Sequence, residues 1–216
     1  MKISLLLLAT LCAATAGVVR ASECALVQLR IGKEKALQQF AFELHEEDAP
    51  LTVGNFKKLA RKGFYKGCDV HRVFPDLLVQ MGDPLSRKRN RHTVGTGGPG
   101  YSLQPEIRRK HTTGAVAAAR LPDKLNPTRL SNGSQFFVCL APMPNYDGQY
   151  TVFGTVVSGL ETLSALSNRP ADSNDYPVER ITIQSVKIMP REQLPAPPKP
   201  AAPSDKPEKR WWQVFG

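Results

Sequence analysis

The sequence predicts a mainly β domain, a closed eight-stranded antiparallel barrel capped by two α-helices. Three observations lead there. First, apolar stretches of strand length, about eight of them, recur at close intervals between turn signals rich in Gly, Pro and Asp. Second, helical spacing of apolar residues occurs in two places and nowhere longer. Third, the chain has 216 residues, 41% of them hydrophobic, which is enough for one domain with a real core plus tails.

Taken in order, Ala25 to Ile31 and Leu37 to Leu44 read as paired strands around a turn at Gly32-Lys33. Asp48-Ala49-Pro50 opens a helix, with Asp48 as its cap and Pro50 in the first turn. Val53, Phe56, Leu59 and Ala60 then recur at helical spacing, Gly63 ends the run, and Lys57, Lys58, Arg61 and Lys62 are placed on the outer face. Ala115 to Ala119 is a run of small residues that lets a strand or a ligand approach closely. A glycine turn leads into Gln135-Phe136-Phe137-Val138, an apolar strand with Gln135 and Phe137 on one face. Thr151 to Val157 is a further strand. Leu160, Leu163 and Leu166 form a second short helix after Gly159, and Val178 to Met189 closes the domain as a β-branched strand.

The chemistry concentrates in Val70–Asp83, VHRVFPDLLVQMGD. Strand alternation places Val70, Arg72 and Phe74 on one face and His71 and Val73 on the other. Pro75-Asp76 is turn chemistry. A guanidinium at 72 and an amide at Gln80, flanked by Leu, Val and Phe, are costly to bury without partners. Either they are satisfied internally or they line a cleft and meet a ligand.

Other signals are bland. The cluster Gly95-Thr96-Gly97-Gly98-Pro99-Gly100 lacks the Gly-Lys-Ser/Thr and the following helix of a phosphate cradle, so it reads as a tight loop. His92 and His111 stand singly, without metal-ligand spacing. Cys24, Cys68 and Cys139 have neither metal nor redox spacing and read as small buried apolar residues, or as a disulfide pair among three in an exported chain. The net charge is +10. The cations, including Arg87, Lys88, Arg89 and Arg91, sit in loops and tails without interleaved aromatics, which favours solvated charge over a nucleic-acid surface.

The ends differ in composition from the middle. Residues 1–21 read as a signal peptide: Lys2, an apolar run, and small residues for cleavage after Ala16 or Ala21. The chain is therefore expected to be exported, periplasmic or secreted. The domain spans 22–190, and 191–216 is a Pro/Ala/Lys-rich tail that cannot build a core. The tail ends near Trp211-Trp212, a pair suited to a membrane interface or a partner, or simply a sticky end.

In order along the chain, NFKKLARKGFYKG, VHRV with QMGD, GTGGPGY, NGSQFFV and DGQYTVFGTVV cover about Ala25 to Met189. Together they resemble the cyclophilin family of peptidyl-prolyl cis–trans isomerases, and the 87–91 and ARLPDKLNP segments resemble its exported bacterial branch. The resemblance implies a proline-binding groove on the barrel's outer face and no cofactor or metal. It implies Arg72 as the catalytic arginine and Gln80, Ala119, Gln135 and Phe137 as groove positions. Leu77-Leu78 stand where the family usually has Phe-Met, Asn145-Tyr146 where it has Trp-Leu, and Tyr150 where it has a groove histidine; these keep apolar contact.

On this reading Phe137, Leu77, Leu78 and Tyr150 hold the proline ring, and Gln80 orients Arg72 or a substrate carbonyl. The main chain near Ala119 and Arg120 pairs with the peptide as an added strand. The expected partners are proline-containing polypeptides, with no nucleic acid and a monomeric chain. The rival reading is a catalytically weak or inactive module that binds proline segments or scaffolds a complex.

Overall fold

A computed structural model describes residues 22–88, 90 and 92–196. Residues 1–21 (expected from the sequence to be a leader), Arg89, Arg91 and the end of the tail with Trp211-Trp212 lie outside the described residues. Strands β1 (Glu23–Ile31) and β2 (Gln38–Leu44) form the expected antiparallel pair. Helix α1 (Pro50–Arg61) follows, then β3 (Val70–Phe74) and β4 (Leu78–Met81), an antiparallel hairpin turned at Pro75-Asp76 with Asp76 in the left-handed region at φ 50°. Next come β5 (Ser102–Leu103), β6 (Ala115–Ala118), β7 (Ser131–Asn132) and β8 (Phe136–Cys139). The chain continues through β9 (Val152–Ser158), α2 (Leu160–Ser167) and β10 (Ile181–Pro190). Eight strands form one sheet in the order β10-β1-β2-β9-β6-β8-β4-β3, and β5 and β7 form a separate short ladder.

The expected closed barrel does not form: the sheet is an open half-barrel. Its two end strands, β3 and β10, meet through one isolated bridge, Asp69 with Thr182, and through main-chain bonds from Gly67 to Ile183 and from Ile183 to Cys68, each 2.8 Å. No ladder propagates from there. Gly67 turns away at φ 82°, and the Val73 N–H on the edge of β3 already donates to the Asp175 carbonyl at 2.8 Å.

Alternation along the strands gives the sheet two apolar faces. Val79, Met81, Val116, Ala118, Phe136 and Val138 point inward to the main core. There Phe56 of α1 packs on Phe42, Tyr65, Phe136 and Phe153 with ring centroids 5.2–5.6 Å apart. Two expectations about α1 are corrected. Asp48 does not cap it; its carboxylate pairs with Arg109 at 3.0 Å. The first-turn N–H groups of Leu51 and Thr52 instead donate to the Glu106 carboxylate at 2.9 and 2.8 Å. Lys57 is not on the outer face either. It is buried and pairs with Glu23 and Glu46, because a buried ammonium requires partners. Cys24, Cys68 and Cys139 are free and buried.

Candidate functional site

The residues left over by the inward face make the site. Leu78, Ala115, Ala117, Phe137, Cys139 and Val152 form a second buried apolar cluster, joined by Met143 and flanked by Phe74, Tyr146 and Tyr150. An apolar face on the outer side of a sheet whose inner side already holds the core needs a cover or a ligand. Across it runs one cross-strand row: Arg72 faces Gln80, Gln80 faces Phe137, and Phe137 faces Ala117. Neighbouring strands lie ~4.8 Å apart, so Arg72 and Phe137 are set roughly 10 Å apart at the backbone with Gln80 between them. A cleft of about 560 Å³ lies over this row, lined by Arg72, Leu78, Gln80, Phe137, Tyr146 and Tyr150.

The polar side of the row is held from behind. Gln80 Nε2 donates to Gln135 Oε1 at 3.0 Å, and Gln135 Nε2 donates to the carbonyls of Gly95 and Gly97 at 3.0 and 2.7 Å. Those glycines wrap the buried Asp83, whose carboxylate accepts from the N–H groups of Leu85, Gly95 and Gly97. Gly97 allows the approach: a Cβ there would come within 2.1 Å of Asp83 Oδ1. The glycine loop is thus a tight packed loop whose amides face a protein carboxylate.

The apolar side is an aromatic nest. The rings of Tyr146 and Tyr150 stand edge-on to Phe137, at 5.9 and 5.6 Å. His111 stacks on Phe137 at 6.1 Å with an 11° tilt, and its Nδ1 lies 3.0 Å from Asp147 Oδ1. The His111 main-chain N–H donates to the same oxygen at 2.7 Å, and these bonds hold the Asp147 carboxyl below the usual carboxylate range. Arg120 lies over Tyr150 at 4.6 Å and donates to the Gln149 carbonyl at 2.9 Å, with Asp123 as its ion-pair partner. Burial raises the Tyr150 phenol, with Arg120 opposing, and pushes Cys139 under the nest up to about 12.

Several sequence candidates therefore converge: Arg72, Leu78, Gln80, Arg120, Phe137, Tyr146 and Tyr150 all line the cleft, and Gln135 supports it. Leu77 does not. It sits at the hairpin turn, 39% exposed, while its neighbour Leu78 faces the cleft. Asn145 is exposed, and its carbonyl accepts from Gln149 Nε2 at 2.7 Å. Ala119 lines the cleft, but its main chain is engaged within the fold: its N–H donates to the Gln135 carbonyl at 2.9 Å and its carbonyl accepts from Asn132 at 2.7 Å. Strand-like pairing of a peptide with Ala119 is thereby disfavoured. His111, Met143 and Asp175 were not foreseen as site residues; each reaches the site from a loop, where periodicity carries no signal. Among the described residues no group of three or more His, Cys, Asp and Glu is placed to hold a metal ion.

A family model described as cyclophilin type peptidyl-prolyl cis-trans isomerase/CLD matches residues 26–188. The peptidyl-prolyl cis-trans isomerase B of Bacillus subtilis is 43% identical over 130 residues, covering 59% of this chain and 82% of that protein. The peptidyl-prolyl cis-trans isomerase ppi1 of Schizosaccharomyces pombe is 39% identical over 151 residues, 69% of this chain and 92% of that one. Among solved structures, a Cryptosporidium parvum cyclophilin type peptidyl-prolyl cis-trans isomerase matches with a TM-score of 0.66 at 27% identity, covering 79% of this chain and 98% of that one. A structure of the same protein in the presence of the dipeptide Ala-Pro matches at 0.61 and 29% identity, covering 75% and 98%.

Proposed function

Because this chain belongs to the cyclophilin-type peptidyl-prolyl cis–trans isomerase family, we propose that its outer-face cleft binds X-Pro segments of folding, exported polypeptides and turns their amide with Arg72 as donor. The observation that carries this reading is the row Arg72–Gln80–Phe137, a cation, an amide and an aromatic floor on one face of three adjacent strands. The dipeptide named with the Cryptosporidium relative supports a proline-containing ligand for the same fold.

The reaction breaks no covalent bond. Rotation about an X-Pro bond is opposed by amide resonance, with a barrier of ~18–20 kcal/mol. Catalysis requires contacts stronger to the twisted amide than to either planar form. Twisting localises the lone pair on the proline nitrogen, and a guanidinium N–H from Arg72 donates to it. Phe137, Leu78 and Tyr150 grip the pyrrolidine ring so that the acyl side rotates against a fixed proline. Gln80, held by Gln135, orients the donor or the substrate carbonyl.

A protease-coupled assay on an Ala-Pro peptide tests the reading, with wild type and Arg72→Ala side by side. Wild-type turnover above buffer and its loss in the variant are expected. A wild-type rate equal to buffer discards isomerase chemistry in favour of a proline-binding module. The export half of the proposal rests on the leader in residues 1–21 and is tested separately. Sequencing the N-terminus of the protein recovered outside the cytoplasm should begin at Gly17 or Ser22.

A further inference from the structure

Residues 173–176 wall one side of the cleft, and one of them bears on Arg72. The segment is tied from several directions. The Asp172 carboxylate accepts from the main-chain N–H groups of Asn174 and Tyr176 at 2.9 and 3.1 Å. The Tyr176 hydroxyl donates to the buried Asp69 carboxylate at 2.7 Å. Asp175, between them, stands in the left-handed region at φ 60°. Its carbonyl accepts from Val73, the residue after Arg72, at 2.8 Å. With its main chain fixed there, its side chain lies beside Arg72, Oδ2 3.5 Å from Nε. The guanidinium also rests over the Phe74 ring, 4.6 Å from its centroid. Among the described residues lining the cleft, Asp175 carries the one carboxylate.

Building on the isomerase reading, we propose that Asp175 is a positioning residue for Arg72. It holds the Nε edge of the guanidinium, so that the two terminal nitrogens stay free to face the turning amide. An arginine on a sheet edge otherwise samples many rotamers, and only a fraction present a donor to the proline nitrogen. Orientation of a group used in the transition state shows in kcat and leaves ground-state binding in place.

The test is Asp175→Asn, which removes the charge and keeps a residue type at home in the left-handed region. On an Ala-Pro peptide, kcat should fall about three- to tenfold while KM and the thermal midpoint hold. In an Arg72→Lys background, which has no Nε edge to hold, the same substitution should cost nothing further. The Arg72 Nε–H signal in proton–nitrogen NMR should shift in Asp175→Asn, a readout independent of turnover. An unchanged or faster kcat, a change confined to KM, an equal loss in both backgrounds, or an unmoved Nε–H signal each overturns the proposal. Wild-type inactivity removes instead the isomerase reading beneath it, and the Nε–H signal alone then decides whether Asp175 orients Arg72.

Discussion

Under the proposed mechanism Arg72 and Phe137 take different roles in the cleft, and their environments predict different variant behaviour. The Arg72 side chain is 49% exposed and sits on an edge strand, so Arg72→Ala leaves no buried cavity. Loss of one preorganised donor to the transition state costs about 10²–10³-fold in rate. Arg72→Ala should therefore lower kcat/KM by that order with an unchanged melting temperature. Phe137 is 3% exposed and is braced by His111, Tyr146 and Tyr150. Phe137→Leu keeps an apolar floor and loses the flat ring that the proposed mechanism sets against the pyrrolidine. A loss of about 1 kcal/mol of apolar contact corresponds to roughly a fivefold rise in KM. Steady-state kinetics separate the two outcomes, since one falls mainly in kcat and the other in KM.

At the scale of elements, α1 depends on a carboxylate 54 to 55 residues away from its first turn. Glu106 accepts from Leu51, Thr52 and the Thr52 hydroxyl, doing what an N-cap side chain does elsewhere. Its removal in Glu106→Ala should cost ~1–2 kcal/mol and lower the thermal midpoint by about 2–8 °C, read by circular dichroism, while the folded enzyme keeps its turnover. The same helix marks what a sequence can convey. Spacing alone picked out Val53, Phe56, Leu59 and Ala60 as its buried face, and Pro75-Asp76 as the hairpin turn, because both are local geometry. It could not show that Glu106 displaces Asp48 at the helix start, or that Lys57 turns inward to Glu23 and Glu46. Those partners are set by tertiary packing. The site divides in the same way. Arg72, Gln80 and Phe137 were named from strand alternation and family pattern, and pairing register assembles them. The choice between Leu77 and Leu78 hung on a single residue of register at the turn. Asp175 arrives from a loop about a hundred residues downstream, with no periodicity to announce it.

For the molecule as a whole, the half-barrel stacks two apolar faces on one sheet, so stability and ligand contact draw on the same strands. Titratable groups buried against these faces make that stability depend on pH. His71 is 4% exposed, and neither ring nitrogen has a hydrogen-bond partner among the described residues. Burial lowers it from the ordinary histidine value of 6.5, with Asp83 opposing. Burial lowers His45 as well, with Arg109 adding to the effect. In both cases the unfolded chain takes up protons before the folded one does. The stability contribution is thus whole above pH 6.5 and is lost as pH falls through the folded values. Lys57 runs the other way. Its bonds to Glu23 and Glu46 outweigh burial, the first and opposing influence, and raise it above 10.5. Its contribution is present below pH 10.5 and is lost as pH rises through the folded value. The buried thiols of Cys24, Cys68 and Cys139, raised from 9.0 by burial, also lose stability as pH rises above 9, so the signs leave a plateau between about pH 6.5 and 9. Urea midpoints taken from pH 8 down to 5 should hold and then fall below about 6.5. In His71→Gln, which cannot take up the proton, that fall should be shallower relative to the variant's own pH 8 value. An equally steep fall in the variant would place the acid sensitivity elsewhere than at the imidazole beside Arg72.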